Sequence, residues 1–345
     1  MRVMVVEQPG QFALSERPEP LAGAGEVLVR PLAVGICGSD IDLVQGTRPA
    51  AYVRYPIVPG HEWVAEVVMA GPGVHNVQAG EYVAVEGHNY CRVCPQCRRG
   101  ATNLCIKYDE FGCTRDGGLA ELVVARADLL HPFQKNLRPE LAALTEPTAC
   151  ALHGVEVANP RLGETVVIIG TGTIALLGVT LFAQYHPRQL IVVGRHTTNR
   201  DIAFTLGATH FLTGSEQEID LSIQSLTDGV GADIIYEAAG HISAVNMAFQ
   251  LARRGGHIIL EGVAGADAYL TLPADLFLLK ALSVHGIFAY TSAHFERALR
   301  LIEAGTIMVA PLVTHRLPLQ RYAEGIALLE DRKERVIKVI ILPQE

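Results

Sequence analysis

The stretch from Thr165 to Gln184 carries no charged residue, and it limits the possible folds more than any other part of the sequence. A segment this apolar is buried either in a lipid bilayer, which takes about 20 residues to cross, or in a protein core. Gly170 and Gly172 interrupt it, and β-branched residues crowd its first part. The pattern predicts a buried strand, a glycine turn and a buried helix rather than a membrane span.

The pattern of predicted secondary structure changes near residue 151. Before it, short strands are separated by Gly and Pro, which predicts a β-rich domain. After it, nearly continuous apolar strands alternate with helical patterns, which predicts an α/β domain with a doubly wound parallel sheet. The segment "SAVNMAFQLARRGG" is predicted to be one of these helices, closing at its two glycines.

Charge and composition exclude some classes of partner. The formal net charge is −8 and there is no basic block, so neither a nucleic-acid nor a membrane-surface partner is predicted. The opening "MRVMVVEQPGQ" has no secretory signal pattern, so we expect a cytoplasmic protein with reduced thiols.

Four of the seven cysteines follow the spacing C-x2-C-x2-C-x7-C, at Cys91, Cys94, Cys97 and Cys105. Four thiolates on short loops are typical of a closed, structural zinc site, and an iron–sulfur cluster is the alternative. A closed site has no open position for a substrate, so the chemistry is expected elsewhere.

The cysteine lobe occurs together with "GICGSD", "GHEWVAE" and "GTGTIALLG", in chain order. This combination resembles the zinc-dependent medium-chain dehydrogenases of the alcohol dehydrogenase superfamily, especially their polyol, sugar and threonine branch. The resemblance implies a GroES-like catalytic domain at 1–150 and 290–345, with a structural zinc lobe at about 88–114. It also implies a Rossmann domain at 151–289 and an active site in the cleft.

The resemblance also implies a catalytic zinc ion. Cys37 and His61 match the first two ligands, and Glu146 in "LTEPTAC" matches the carboxylate ligand of the polyol branch. Cys150 is a competing third ligand, and Glu62 is the nearby carboxylate that can approach the metal during exchange. Zinc would act as a Lewis acid that lowers the pKa of a bound alcohol before hydride leaves for the nicotinamide.

Proton release is predicted to begin at Ser39, which matches the family's hydroxyl residue and can also serve its local helix as a cap. Many relatives carry a histidine five residues after the ligand cysteine, whereas this chain has Asp42 there. The outer route therefore runs through Asp42, another residue or water. Asp40 is predicted to orient a metal-bound histidine.

The glycine turn predicts a dinucleotide site at a helix N-terminus. An NAD enzyme is expected to have an acidic residue at the end of the second strand, but no Asp or Glu occurs from Thr165 to Arg200, and Gly194 and Arg195 stand there. An arginine can pair with a 2′-phosphate, so NADP is favoured over NAD. The candidate cofactor residues are Gly170, Gly172, Thr173, Ile174, Gly194, Arg195, Arg200, Gly262, Val263 and Gly286.

The sequence thus predicts a zinc-dependent oxidoreductase that transfers hydride between a secondary alcohol and NADP or NAD, with a polyol, sugar or related hydroxylated compound as substrate. The alternatives are an NAD-linked threonine-type or simple alcohol dehydrogenase and, in a different class, a non-catalytic cofactor-binding or redox-sensing protein. Trp63, Tyr52, Phe111 and Arg115 lie in segments that border the substrate pocket in relatives. Members of the family that the sequence resembles commonly form dimers or tetramers, so we expect a homo-oligomer.

Overall fold

The computed structural model describes residues 1–265, 267–331 and 334–345. The chain divides into two compact units, one formed by Met1–Ala149 with Thr291–Glu345 and the other by Cys150–Tyr290.

The strands are, in chain order, β1 Arg2–Gln8, β2 Gln11–Glu16, β3 Glu26–Ile36, β4 Glu62–Ala70, β5 Tyr82–Val85, β6 Val123–Arg126, β7 Leu130–Phe133, β8 Thr165–Ile169, β9 Gln189–Val193, β10 His210–Leu212, β11 Ala232–Glu237, β12 Ala252–Leu260, β13 Ser283–Gly286, β14 Val313–Pro318 and β15 Lys338–Leu342. The α-helices are α1 Gly38–Gln45, α2 Pro95–Arg98, α3 Pro139–Ala142, α4 Thr145–Ala158, α5 Thr173–Ala183, α6 Arg200–Thr205, α7 Glu216–Leu226, α8 Ile242–Leu251, α9 Asp275–Lys280, α10 Ser292–Glu303 and α11 Tyr322–Asp331. Single 3₁₀ turns lie at Ala50–Tyr52, Thr102–Leu104, Ala127–Leu129, Ala310–Leu312 and Leu319–Arg321.

The larger sheet of the first unit runs in the order β14, β15, β3, β4, β5 and β7, and β6 also pairs with β3. Strand β15 from the end of the chain lies antiparallel to β3, with Val339 opposite Ile36. This pairing brings Lys338 beside the end of β3, immediately before Cys37. Trp63 on β4 fills the core against Phe111, with ring centroids 5.4 Å apart.

The sheet of the second unit is parallel and runs in the order β10, β9, β8, β11, β12 and β13. Every residue of β8 is buried, and α5 follows after a glycine turn. The prediction of strand, turn and helix over Thr165–Gln184 is therefore confirmed. After β9 and β10 the chain crosses to the other side of β8, so the carboxyl ends of β8 and β11 form the switch point where such sheets bind ligands.

The predicted end of the helix "SAVNMAFQLARRGG" is wrong. Helix α8 ends at Leu251, because Ala252 is already extended and pairs with Ala232 of β11. Sheet pairing therefore stops the helix before its glycines. Among the described residues, no helix combines the length and apolar character needed to cross a membrane.

Candidate functional site: a metal centre and a dinucleotide loop

Cys37 lies where β3 ends and α1 begins. It is the N-cap residue of α1, and its backbone N–H donates to Asp40 Oδ2 at 2.9 Å. The first turn of the helix therefore fixes the direction of the Cys37 side chain. Asp40 is itself buried, at 2 % exposure.

His61 and Glu62 lie at the start of β4, after Gly60, which has a φ of +96°. A side chain at Gly60 would meet Val34 Cγ1 at 2.6 Å, so the tight approach to β3 requires glycine. Ligand atoms of Cys37, His61 and Glu62 all lie within 4.8 Å of one another. A sulfur, an imidazole and a carboxylate thus converge in the first unit.

Glu146 is placed in the first turn of α4 and is buried. It is not part of the tight group that Cys37, His61 and Glu62 form. Burial raises the pKa of Glu146 to about 8; His61 opposes this, while the charges of Glu62 and Glu110 add to it. A cation bound beside these groups would favour the ionised carboxylate. Cys150 lies one helical turn further along α4 and is partly buried.

Two buried polar atoms indicate how His61 would be used. Its Nδ1 lies 3.9 Å from Asp40 Oδ1, and neither atom has a hydrogen-bond partner within the described part of the chain. A small rotation would let Asp40 accept from Nδ1, which is how carboxylates orient metal-bound histidines. Burial lowers the pKa of His61, but Asp40 and Cys37 outweigh it and raise that pKa well above its usual value. The donor set and these orphaned atoms fit a zinc ion with one exchangeable position.

Lys338 is a member of the site that the sequence analysis missed. Its Nζ donates to Glu62 Oε1 and Oε2, at 2.8 and 2.6 Å, and to the carbonyl of Ile36 at 3.1 Å. The side chains are 3 % and 1 % exposed, so this ion pair is buried. A lysine inside the apolar run "RVIKVIILP" was the available signal, since a charge in a buried strand needs a partner.

Ser39 and Asp42 differ in how close they come to this group. Ser39 Oγ lies 3.4 Å from His61 Nε2. Asp42 sits near the end of α1, where its carboxylate accepts from Thr47 Oγ1 at 3.0 Å and its carbonyl accepts from the amide of Thr47. Thr47 therefore fixes the position of the Asp42 carboxylate at the end of α1.

The four lobe cysteines converge as a second group, with sulfur atoms within 4.8 Å of one another. The backbone N–H of Cys97 donates to Cys94 Sγ at 3.4 Å, and that of Cys91 donates to Cys105 Sγ at 3.3 Å. Hydrogen bonds from the amides of Cys97 and Ile106 lower the pKa of Cys94 to about 6. Amides aimed at sulfur favour thiolates, the form that binds zinc.

The dinucleotide loop belongs to the second unit. Gly170, at φ +127°, turns the chain where a Cβ would meet the backbone of Ala238 at 3.1 Å. Gly172 is the N-cap of α5, and Thr173 and Ile174 form the first turn. In sheets of this kind the pyrophosphate of a dinucleotide binds at such a helix N-terminus.

Gly194 directly follows β9, where an acidic residue was expected. A Cβ there would meet Thr171 Cγ2 at 2.8 Å and Phe211 Cζ at 2.9 Å, so a larger residue would require these two side chains to move. Arg195 and Arg200 follow in exposed positions, and the guanidinium of Arg200 lies 5.7 Å from the Phe204 ring centroid. Cationic groups therefore stand where the acid was expected.

The remaining cofactor candidates lie at the carboxyl ends of β12 and β13. Gly262 packs so closely on Gly240 that a side chain would collide, whereas Val263 is 83 % exposed. Gly286 ends β13 in an exposed position. Glu237, which the sequence analysis missed, holds the adjacent loop by accepting from the amides of Ala239 and Gly240 at 2.8 and 2.9 Å.

Comparisons with known proteins agree with this architecture. The family models for the alcohol dehydrogenase GroES-like domain and for zinc-binding dehydrogenase match residues 23–135 and 169–304. An L-threonine 3-dehydrogenase from Pyrococcus furiosus is 32 % identical over 93 % of this chain and 92 % of its own length. A sorbitol dehydrogenase from Halalkalibacterium halodurans is 30 % identical over 99 % of both chains. A zinc-binding dehydrogenase from Sinorhizobium meliloti, solved bound to NADP, has a TM-score of 0.92 and 30 % identity over 99 % of both chains.

The chain therefore belongs to the zinc-dependent medium-chain dehydrogenases of the alcohol dehydrogenase superfamily. It is an enzyme of the NAD(P)-dependent oxidoreductase class, acting on small molecules. The predicted fold class, a Rossmann parallel sheet with a GroES-like domain, is confirmed.

Proposed function

We propose that the enzyme transfers hydride between a secondary alcohol, in the form of a polyol, a sugar or a related hydroxylated compound, and a nicotinamide cofactor, with NADP favoured. The observation that carries this proposal is the convergence of a partly buried Cys37 with the buried His61 and Glu62, with Glu146 beside them. When bound there, zinc supplies Lewis-acid polarisation of the substrate oxygen.

Cys37, His61 and Glu146 are the proposed zinc ligands. Glu62 is a poorer candidate for permanent ligation, because Lys338 already neutralises it through two hydrogen bonds. Its proposed role is transient, approaching the metal while water and substrate exchange. The four lobe cysteines are proposed to hold a second, structural zinc ion.

Ser39 is the proposed first proton acceptor, and the 3.4 Å separation of its Oγ from His61 Nε2 supports this placement. Asp42 is the proposed outer acceptor, and Thr47 holds its carboxylate in place. The carboxylate of Asp40 orients His61 and takes no proton from the substrate.

The NADP preference is supported by the absence of an acidic residue at the end of β9, where Gly194 stands, and by the exposed Arg195 and Arg200. A carboxylate at the second strand end would repel the 2′-phosphate, whereas a guanidinium can form a paired contact with it. The relative from Sinorhizobium meliloti was solved with NADP, which agrees with this choice. The other named cofactor candidates are proposed to frame the pyrophosphate and the nicotinamide.

A second substrate is favoured by the named relatives. L-Threonine 3-dehydrogenase from Pyrococcus furiosus resembles this chain about as closely as the sorbitol dehydrogenase does. The runner-up is therefore an NAD-linked threonine-type enzyme. The non-catalytic alternative is set aside by the family membership.

We further propose that the enzyme works in the cytoplasm as a homo-oligomer. None of the seven cysteines forms a disulfide within the described part of the chain, which agrees with a reducing compartment. Strand β13 lies at the end of its sheet, and Leu278 and Leu279 on the preceding α9 are 78 % and 67 % exposed. A second copy that pairs at this edge would cover both features.

Steady-state kinetics of the zinc-loaded enzyme with NADP and NAD, on polyols, secondary alcohols and L-threonine, would test this proposal. We expect polyol oxidation with NADP, abolished by Glu146→Ala and by chelation. For the cofactor, Arg195→Ala should raise the KM for NADP at least tenfold and leave that for NAD nearly unchanged. Turnover of threonine alone would contradict the proposed substrate class. An unaltered NADP preference in Arg195→Ala would contradict the proposed role of Arg195.

A further inference from the structure

A cluster of Arg48, Tyr52, Tyr108 and Glu110 lies in the first unit apart from the proposed ligands. Arg48 Nη2 donates to Glu110 Oε2 and to Tyr108 OH, at 2.8 Å each, and its Nε donates to the Tyr52 carbonyl at 2.9 Å. Tyr108 OH also donates to Glu110 Oε2. The Arg48 and Glu110 side chains are 15 % and 8 % exposed. This is a nearly buried ion pair with a hydroxyl at its centre.

The backbone places this cluster beside the metal site. Arg48 follows α1, the helix that Cys37 caps, and its amide donates back to the Asp42 carbonyl. Glu110 stands two residues before Gly112, where a Cβ would lie 2.7 Å from the amide nitrogen of Gly60. Gly60 directly precedes the ligand candidate His61. The segments that carry Arg48 and Glu110 are thus continuous with, or packed on, those that carry two proposed ligands.

The electrostatics agree with this placement. Burial raises the pKa of Glu110, but the charges of His88, His61 and Arg48 outweigh it, so that pKa is lowered. Glu110 in turn contributes to the raised pKa of Glu146, after burial and Glu62. Charges act on one another in this way only over short distances in a buried setting.

The pair leaves specific hydrogen-bonding capacity unused. Arg48 Nη1 has no partner within the described part of the chain, whereas Nε and Nη2 are both bonded. A guanidinium nitrogen can only donate, so its partner must be an acceptor oxygen. Because Glu110 offsets the charge of Arg48, the pair offers donors without net positive charge. A hydroxyl matches this better than a carboxylate, whose desolvation needs an uncompensated cation.

We propose that Arg48 is a specificity-determining residue whose Nη1 donates to a hydroxyl oxygen of the substrate remote from the reacting carbon, and that its pairing with Glu110 selects uncharged polyols and sugars over hydroxy acids and amino acids. This inference rests on the proposed dehydrogenase function and narrows its substrate class. Tyr108 positions the guanidinium by bridging it to Glu110.

The first test compares Arg48→Lys with the zinc-loaded wild type on propan-2-ol and on the best of sorbitol, xylitol and galactitol. Lysine keeps the charge beside Glu110 but loses the forked donors, so the fold is retained. We expect kcat/KM for the polyol to fall roughly 10- to 100-fold, mainly through KM, the scale of a lost hydrogen bond to a charged group. The value for propan-2-ol should change less than about twofold, since it has no remote hydroxyl.

Arg30→Lys is the matched control, because Arg30 forms an ion pair with Glu66 at 3.0 Å on β3 and β4, in the same unit. It should leave the ratio of polyol to propan-2-ol activity unchanged. An equal fall in Arg30→Lys, or an unchanged ratio in Arg48→Lys, would overturn the proposal.

The second test removes the compensating charge with Glu110→Gln. Arg48 would then carry net positive charge, so the aldonate of the same carbon chain should gain at least tenfold in kcat/KM relative to the polyol. A ratio that does not move toward the aldonate would overturn the selection by charge.

Calorimetric titration of the polyol into zinc-loaded protein with NADPH separates this inference from the proposed function. If Arg48→Lys weakens polyol binding tenfold and neither protein shows turnover, the recognition role of Arg48 would be supported. The dehydrogenase function would then be contradicted. Turnover of propan-2-ol, together with polyol binding that Arg48→Lys does not weaken, would support the dehydrogenase function and overturn the recognition role of Arg48. A protein that neither binds nor oxidises any of the three polyols would overturn this inference.

Discussion

At the scale of single residues, Lys338 controls how Glu62 can behave. The Lys338 ammonium group donates hydrogen bonds to both oxygens of the Glu62 carboxylate, and both side chains are buried. Water therefore cannot take the place of either partner. Removal of one member of a buried ion pair typically costs about 3–5 kcal/mol, because the other charge is left uncompensated. The two hydrogen bonds from Lys338 therefore restrain the position of the Glu62 carboxylate.

We predict that Lys338→Met lowers the free energy of unfolding by about 3 kcal/mol or more and lowers kcat at least tenfold. Chemical denaturation and steady-state kinetics would measure the two effects. The double variant Lys338→Met/Glu62→Gln should recover most of the stability, because it leaves no buried charge unpaired. Lys135→Met, at an exposed position, is the control. A loss below about 1 kcal/mol in Lys338→Met would contradict the prediction.

Glu261 gives the second unit a stability that depends on pH. Tyr236 OH donates to Glu261 Oε2 at 2.5 Å, while Oε1 is buried and unpartnered among the described residues. Burial raises the pKa of Glu261 to about 7; Tyr236 opposes this and the charge of Glu237 adds to it. In the unfolded chain the carboxyl ionises near pH 4.5, so between about 4.5 and 7 only the folded state holds the proton.

The contribution of Glu261 therefore falls as the pH rises through this window, and it is constant above the window. We predict that Glu261→Gln, which cannot ionise, gains stability relative to the wild type between pH 5 and 8, by about 2–3 kcal/mol. Urea unfolding at several pH values would measure the difference. Glu216→Gln, exposed on α7, should give no such trend. A difference between Glu261→Gln and wild type that does not vary with pH would count against the neutral carboxyl.

At the scale of secondary structure, the end of α8 depends on a residue from another element. Lys280 Nζ donates to the carbonyls of Phe249, Gln250 and Ala252, at 2.9 Å each. The last carbonyls of a helix have no intrahelical donors, and a cation there also complements the helix dipole. Lysine thus replaces the glycine cap that the sequence indicated.

We predict that Lys280→Met destabilises the protein by about 1–3 kcal/mol, the usual range for lost hydrogen bonds to a charged donor. Thermal unfolding would register the loss, and hydrogen exchange should show faster opening at the end of α8. Lys280→Arg should lose less than Lys280→Met, because it keeps the charge. Unchanged exchange in this helix would contradict the capping role.

The elements differ in how far local sequence could predict them. Strand β8 and helix α5 were predictable because their apolar residues, and the glycines between them, are neighbours in the chain. The helix α7 also carried a local signal that was missed, a capping box from Ser215 to Glu218. By contrast, the stop of α8 is set by pairing with β11 and by Lys280, which no local pattern contains.

The same distinction holds for the site. The spacing of the lobe cysteines and the motifs around Cys37 and His61 are local, so they could be read directly. The partner of Glu62 lies 276 residues away, and that of Arg48 lies 62 residues away. The first pair forms only when β15 pairs with β3, and the second only when the segment after the lobe cysteines approaches the segment after α1. Patterns in a single sequence do not encode such distant contacts.

At the scale of the whole molecule, the second unit carries an apolar surface next to an open sheet edge. This edge surface consists of β13 with Leu278 and Leu279 on the preceding α9, which are 78 and 67 % exposed. Exposed apolar patches beside unpaired strand edges are costly in a free monomer, since both invite association. A two-fold pairing of β13 with a second copy would place the same patch of each copy in the interface.

We predict that the wild type has at least the molar mass of a dimer in multi-angle light scattering, and that Leu278→Glu combined with Leu279→Glu shifts it to the monomer. Two buried carboxylates in each copy would face an apolar partner surface without counter-charges, and their desolvation opposes association. Leu221→Glu, which changes another leucine exposed at 61 % on α7, should leave the mass unchanged. A monomeric wild type, or a double variant that keeps the wild-type mass, would show that this edge is not the contact between copies.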